Sequence, residues 1–153
     1  MPIPVILDTD IGTDVDDVWA LAFLLRCPDL DIRLITTSTG DTHHRAALVA
    51  KMLRVAERED VPIGIGLPLD HAPLGHPGWL GDYQLTDYPG PVFEDGVGAI
   101  CNTVMSSDEP VTIIAIGPLP NIAAALVREP GLTERSNFVG MHGSLRRGYL
   151  GAP

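Results

Sequence analysis

Val5-Ile6-Leu7-Asp8-Thr9-Asp10-Ile11-Gly12-Thr13-Asp14-Val15-Asp16-Asp17-Val18 is the stretch on which the fold turns. A short apolar run ends in carboxylates, and over residues 18–25 apolar side chains recur at helical spacing until Pro28 stops the helix. The segment reads as strand, acidic loop, helix. Aspartates at 8, 10, 14, 16 and 17 crowd one strand end, and such like charges repel unless a cation or a dense hydrogen-bond network offsets them. Oxygen-only ligation with no Cys/His cluster nearby suits calcium or magnesium and argues against zinc. Gly12 lets the loop turn tightly, and Asp16 and Asp17 fall where a helix dipole favours negative charge. The plainer reading makes Asp14 or Asp16 a helix cap facing water.

Working outward, residues 32–37 form a β-branched run that stops at Gly40, and residues 46–55 read as an amphipathic helix ended by the charges of 57–60. Residues 61–65 predict a third short strand. The stretch 66–91 is rich in Pro, Gly and aromatics without periodicity, too long for an ordinary connection and so a functional loop. A helix is expected over 93–105, a fourth strand over 111–116, a helix over 121–128 and a fifth strand over 137–141. Strands alternating with helices predict an α/β fold with a Rossmann-like, mostly parallel sheet and flanking helices, because parallel neighbours need a crossover. Ligands in such sheets sit outside the carboxyl ends of the strands, so the polar clusters after Leu7, Thr37, Ile116 and Met141 should converge on one crevice.

Composition narrows the partners. The chain has 153 residues, 45% of them hydrophobic, enough for one ordinary core. Its formal net charge of -10, with Lys51 the only lysine, offers no basic footprint for a nucleic acid polymer or an anionic membrane. A small uncharged substrate or a cation fits better. No run approaches the ~20 apolar residues of a membrane span, and the N-terminus lacks a basic signal region, so a cytoplasmic location is expected. Cys27 and Cys101 lie far apart inside expected helices and read as buried free thiols. Solvated charges are the reading for Arg146-Arg147 and for the 57–60 run, and a solvated helix start for His43-His44.

The strand followed by Asp-Thr-Asp-x-Gly, a double aspartate and an Ala-Leu helix resembles the N-terminal signature of the inosine-uridine preferring nucleoside hydrolase family. Two later stretches agree in order and spacing: Ile35-Thr36-Thr37-Ser38-Thr39-Gly40, and Ile116-Gly117-Pro118-Leu119-Pro120-Asn121-Ile122-Ala123. Gly140-Met141-His142-Gly143-Ser144 resembles that family's methionine-glycine turn. The resemblance implies a nucleoside hydrolase fold and hydrolysis of the N-glycosidic bond of a ribonucleoside, giving ribose and free base through an oxocarbenium-like state. By position it implies that Asp10 ligates Ca2+ and takes a proton from water there, that Asp17 is a second ligand, and that Asp16 holds a ribose hydroxyl. Pro120 stands where the family has a threonine that ligates calcium through its main-chain carbonyl, an atom proline keeps. Asp8 braces the loop, with Gly12 and Asn121 in structural roles. His76 lies in the long loop where the family often places a base-facing histidine, and Trp79 is placed to stack on a base; an ordinary surface histidine is the rival reading for His76.

This sequence departs from the family pattern in three ways. The acidic loop is two residues longer than the short form, which leaves Asp14 as well as Asp16 a candidate for the sugar. Asp41 stands where the family shows an asparagine touching ribose. The family's chains run to about twice this length, so residues 1–153 read as the N-terminal part of a single nucleoside hydrolase-like domain, apparently truncated before the late aspartate that completes the metal site. The expected partners are a nucleoside and either further copies of the chain, as a homo-oligomer, or a missing C-terminal half. Two rival functions follow: an inactive calcium- or ribose-binding module, and a haloacid dehalogenase-type phosphatase with Asp8 as nucleophile and Asp10 as acid/base.

Overall fold

The computed structural model describes residues 1–69, 76–142 and 146, with the side chain of Pro77 left aside. Gly75, Gly143, Ser144, Arg147 and part of the long loop, all named above, lie outside the described residues. In chain order the elements are β1 (Ile3–Thr9), α1 (Asp16–Leu24), β2 (Leu30–Thr37), α2 (Thr42–Val55), β3 (Ile63–Ile65) and α3 (Pro77–Leu80). A 3-10 turn (Leu85–Asp87), β4 (Val92–Phe93), α4 (Gly96–Met105), β5 (Val111–Ala115), α5 (Pro120–Arg128), α6 (Leu132–Arg135) and β6 (Ser136–Gly140) follow. The strands form one sheet in the order β4-β3-β2-β1-β5-β6, and each neighbouring pair is parallel.

The expected parallel α/β sheet is present, with a sixth strand. Val92 and Phe93 pair with Ile63 and Gly64, so Phe93 belongs to β4 and not to the helix expected from residue 93. That helix starts at Gly96 because the Asp95 side chain accepts from the Gly98 amide at 2.9 Å and caps it. In the same way α2 starts earlier than expected, at Thr42, capped by Asp41. Cys101 is buried in α4, whereas Cys27 lies past the end of α1 and is only half-buried; Leu25 and Arg26 have already left the helix for a tight turn there. Both thiols are free.

Helices cover both faces, which is why β1 is buried from Pro4 to Thr9 and reads as an unbroken apolar run as far as Leu7. Val5, Leu7, Ile32 and Ile35 pack with Leu21, Leu48 and Leu53 of α1 and α2, while Ile6, Leu34 and Ile113 pack with Ile100 and Ile122 of α4 and α5. Ile32 and Ile35 share a face despite an odd separation because the register slips beside Arg33: Val5 pairs with Ile32 and Ile6 with Leu34. No helix among the described residues is long and apolar enough to cross a membrane.

Candidate active site

β1 is central, and the chain runs from it to β2 on one side and lies against β5 on the other. The strand order therefore reverses at β1, and the crevice for a ligand opens where its carboxyl end meets that of β5. The acidic loop occupies that place. Gly117, just after β5, packs so closely on Asp10 that any Cβ there would collide with the Asp10 carboxylate and amide. The close approach explains the glycine. Gly12, at φ 103°, supplies the left-handed turn that carries the loop from β1 into α1.

Asp8 is fully buried at the end of β1, opposite Thr36 on one side and Ala115 on the other. Its Oδ1 accepts from Thr36 Oγ1 at 2.5 Å and from Asn121 Nδ2 at 2.7 Å, while Oδ2 is buried with no partner. Burial pushes its carboxyl up to about 6, against those two hydrogen bonds. Asn121 also donates to the Thr37 carbonyl at 3.0 Å and accepts from the Leu67 amide at 2.8 Å, so one buried amide joins β1, β2 and the segment after β3. Ser38 Oγ donates to the Pro118 carbonyl at 3.3 Å, tying the end of β2 to the turn after β5.

Asp16 and Asp17 open α1. Asp17 is buried, accepts a hydrogen bond from Thr9 Oγ1, and is pushed up to about 6 by burial, with the charges of Asp10, Asp16 and Asp14 adding to the rise. Asp14 and Asp16 are exposed and share a hydrogen bond between their carboxyl groups that raises Asp14 and lowers Asp16. Carboxylate oxygens of Asp14, Asp16 and Asp17 lie within 4.8 Å of one another. Asp10, half-buried, raises Asp8, Asp14 and Asp17 by its charge, which places it among them.

A metal ion fits this arrangement. The donors are all carboxylate oxygens, three of them already gathered, and the buried oxygen of Asp8 lacks a partner. Pro120 is the first residue of α5, next to Asn121.

The remaining candidates divide. His76 meets the loop, its Nε2 lying 3.0 Å from the Asp14 carbonyl. Trp79 is turned to α2, with Lys51 Nζ 5.0 Å from its ring centroid and donating to the Leu80 carbonyl at 2.8 Å. Asp41 accepts from the His44 amide at 2.9 Å and lines a groove of about 730 Å³ shared with His43, Tyr83 and Glu94.

Arg45 escaped the sequence reading. It is 2% exposed and reaches from α2 into the acidic loop: Nη1 donates to the carbonyls of Asp10 and Ile11 (2.7 Å to the latter), Nη2 to Thr13 Oγ1 at 3.0 Å, and Nε to the Thr39 carbonyl at 2.8 Å. The available signal was its position three and four residues before Leu48 and Val49, on the buried face of α2.

An open parallel sheet with a carboxylate-lined crevice at its switch point is the place where α/β proteins of this class put a ligand, and its oxygen donors could hold a hard cation. Residues 5–151 match the inosine-uridine preferring nucleoside hydrolase family, and the chain belongs to it. It is 34% identical over 139 residues to a non-specific ribonucleoside hydrolase RihC of Klebsiella pneumoniae, covering 85% of this chain and 45% of that one. It is 33% identical over 158 residues to RihC of Escherichia coli, covering 97% and 51%. Among solved structures it resembles a plant nucleoside hydrolase, PpNRh1, with a TM-score of 0.75 and 27% identity over 94% of this chain and 49% of that one. The fold also matches a purine-preferring ribonucleoside hydrolase from Gardnerella vaginalis, with a TM-score of 0.76 at 24% identity over 97% and 52%. The chain spans about half the length of the curated relatives it matches.

Proposed function

We propose that this chain carries the metal and ribose site of a calcium-dependent ribonucleoside hydrolase, which splits the N-glycosidic bond to ribose and free base. The observation that supports it most is the gathering of Asp14, Asp16 and Asp17, with Asp10 close enough for its charge to raise Asp8, Asp14 and Asp17, in a chain of this family. Calcium, when bound, supplies the positive charge that acidifies water in the site. Asp10 accepts the proton from that water. Asp10, Asp17 and the Pro120 main-chain carbonyl would hold the ion. Asp16, or Asp14 through the carboxyl pair they form, accepts a ribose hydroxyl, and the shared negative charge of the loop favours the cationic sugar that develops as the bond breaks. His76, held at the loop, faces the base, with Trp79 stacking on it and Asp41 at the sugar side. Asp8, Gly12 and Asn121 set the loop.

Nucleophilic attack by Asp8 on a phosphate, the rival phosphatase chemistry, has no path, since that carboxylate is fully buried. A module that binds calcium or ribose without turnover is the second reading, one that the gathered carboxylates serve equally well. Ribose release from inosine, uridine and a nitrophenyl riboside, with calcium and with excess chelator, separates the two. Release that needs calcium and vanishes in Asp10→Ala supports the hydrolase site in this chain by itself; calcium binding without release from any of the three substrates supports the binding module instead.

A further inference from the structure

We propose that Arg45 is a positioning residue of the acidic site, a rigid clip that holds the 10–13 turn in the shape that gathers the carboxylates for a divalent cation. The inference rests on the cation reading above and adds a residue that reading does not use. Four hydrogen bonds run from one buried guanidinium to two separate turns, the 10–13 turn after β1 and Thr39 after β2. Both turns need holding: Gly12, Thr39 and Gly40 all sit at positive φ, and Thr39 does so with a β-branched side chain. Gly117 presses on Asp10 from the other side. The loop is thus clamped between α2 and the end of β5, with its backbone fixed and its carboxylates left for a ligand.

The chemistry calls for arginine in particular. A guanidinium stays charged when buried and presents five donors in a planar fork, so it can serve two adjacent carbonyls, a hydroxyl and a carbonyl of a second loop together. A lysine ammonium is a point donor and cannot span them. All four bonds go to backbone carbonyls or a hydroxyl and none to a carboxylate, so the backbone is set before any cation arrives and the loop need not reorganise to bind one.

Calorimetric titration of calcium chloride into wild type, Arg45→Lys and Arg45→Met, with thermal unfolding of each, tests this. Both variants should bind calcium on the order of 10- to 100-fold more weakly than wild type. Lysine should give no rescue despite keeping the charge, and amide exchange at Gly12 and Thr13 should speed up. If neither arginine variant folds, the exposed Thr13→Val decides, because it removes the Nη2 acceptor and, besides it, only the long 3.4 Å bond from Thr13 Oγ1 to the Asp10 carbonyl; a loss of about threefold is expected from the arginine bond. A folded Arg45→Lys with wild-type affinity, or an unchanged Thr13→Val in the fallback, overturns the clip and leaves the cation reading intact. Wild type that binds no calcium overturns both.

Discussion

Asp8 sits fully buried with one carboxylate oxygen satisfied twice and the other not at all. Asn121→Ala strips that carboxylate of a donor and also leaves the Leu67 amide and the Thr37 carbonyl short of a partner. It should cost about 2–4 kcal/mol in urea unfolding, far more than a surface substitution. The raised carboxyls predict a pH dependence. Asp8 and Asp17 titrate at about 6 in the folded chain against 3.8 in the unfolded one, so the folded chain holds their protons more tightly. Their contribution to stability is full below the unfolded value and is lost as pH rises through the folded value. The Tm of the metal-free chain should fall through that window as far as these two groups set it, and less in Asp8→Asn; a Tm that climbs throughout it in wild type contradicts the assignment. At this scale the aspartates were legible, because five in ten residues have few structural explanations. Arg45 was not, because a lone arginine in a helical pattern reads as solvated, and only the fold shows which turns it can reach.

The strand–helix alternation was legible because buried parallel strands are continuous apolar runs and their helices keep a 3.6 period. β4 was hidden: two residues of pairing carry no periodicity, and Val92 and Phe93 count as a strand only because Ile63 and Gly64 lie beside them. Helix starts were missed where the cap decides them, as at Asp95, which takes the Gly98 amide and also Arg128 Nη1 at 2.6 Å. Asp41 has the same capping duty at α2, so its expected role at the sugar has to be separated from its structural one. Asp41→Ala should lose about 1 kcal/mol of stability, while Asp41→Asn keeps the cap and the stability. Any fall in ribose release in the asparagine variant then reports on the carboxylate itself. Equal unfolding midpoints for wild type and Asp41→Ala go against the cap as a stabilising contact.

Across the molecule, the apolar surface is uneven. Among the described residues β6 is an edge of the sheet, with Phe138 and Val139 exposed, and Val15 at the N-cap of α1 and Trp19 and Phe23 within it face outward at spacings of four. Such a free edge and stripe favour association. Sedimentation velocity should show association that grows with concentration and is reduced by Val139→Lys, whereas a monomer at every concentration speaks against it. The family match over residues 5–151 and the parallel sheet account for where the aspartates converge. Whether they hold a cation is the claim on which the function rests, and a calcium titration of wild type against Asp10→Asn and Asp17→Asn tests it most directly. One bound calcium in wild type and weakened or abolished binding in each variant is the predicted result; no binding in wild type, or binding that both variants retain unchanged, contradicts the account.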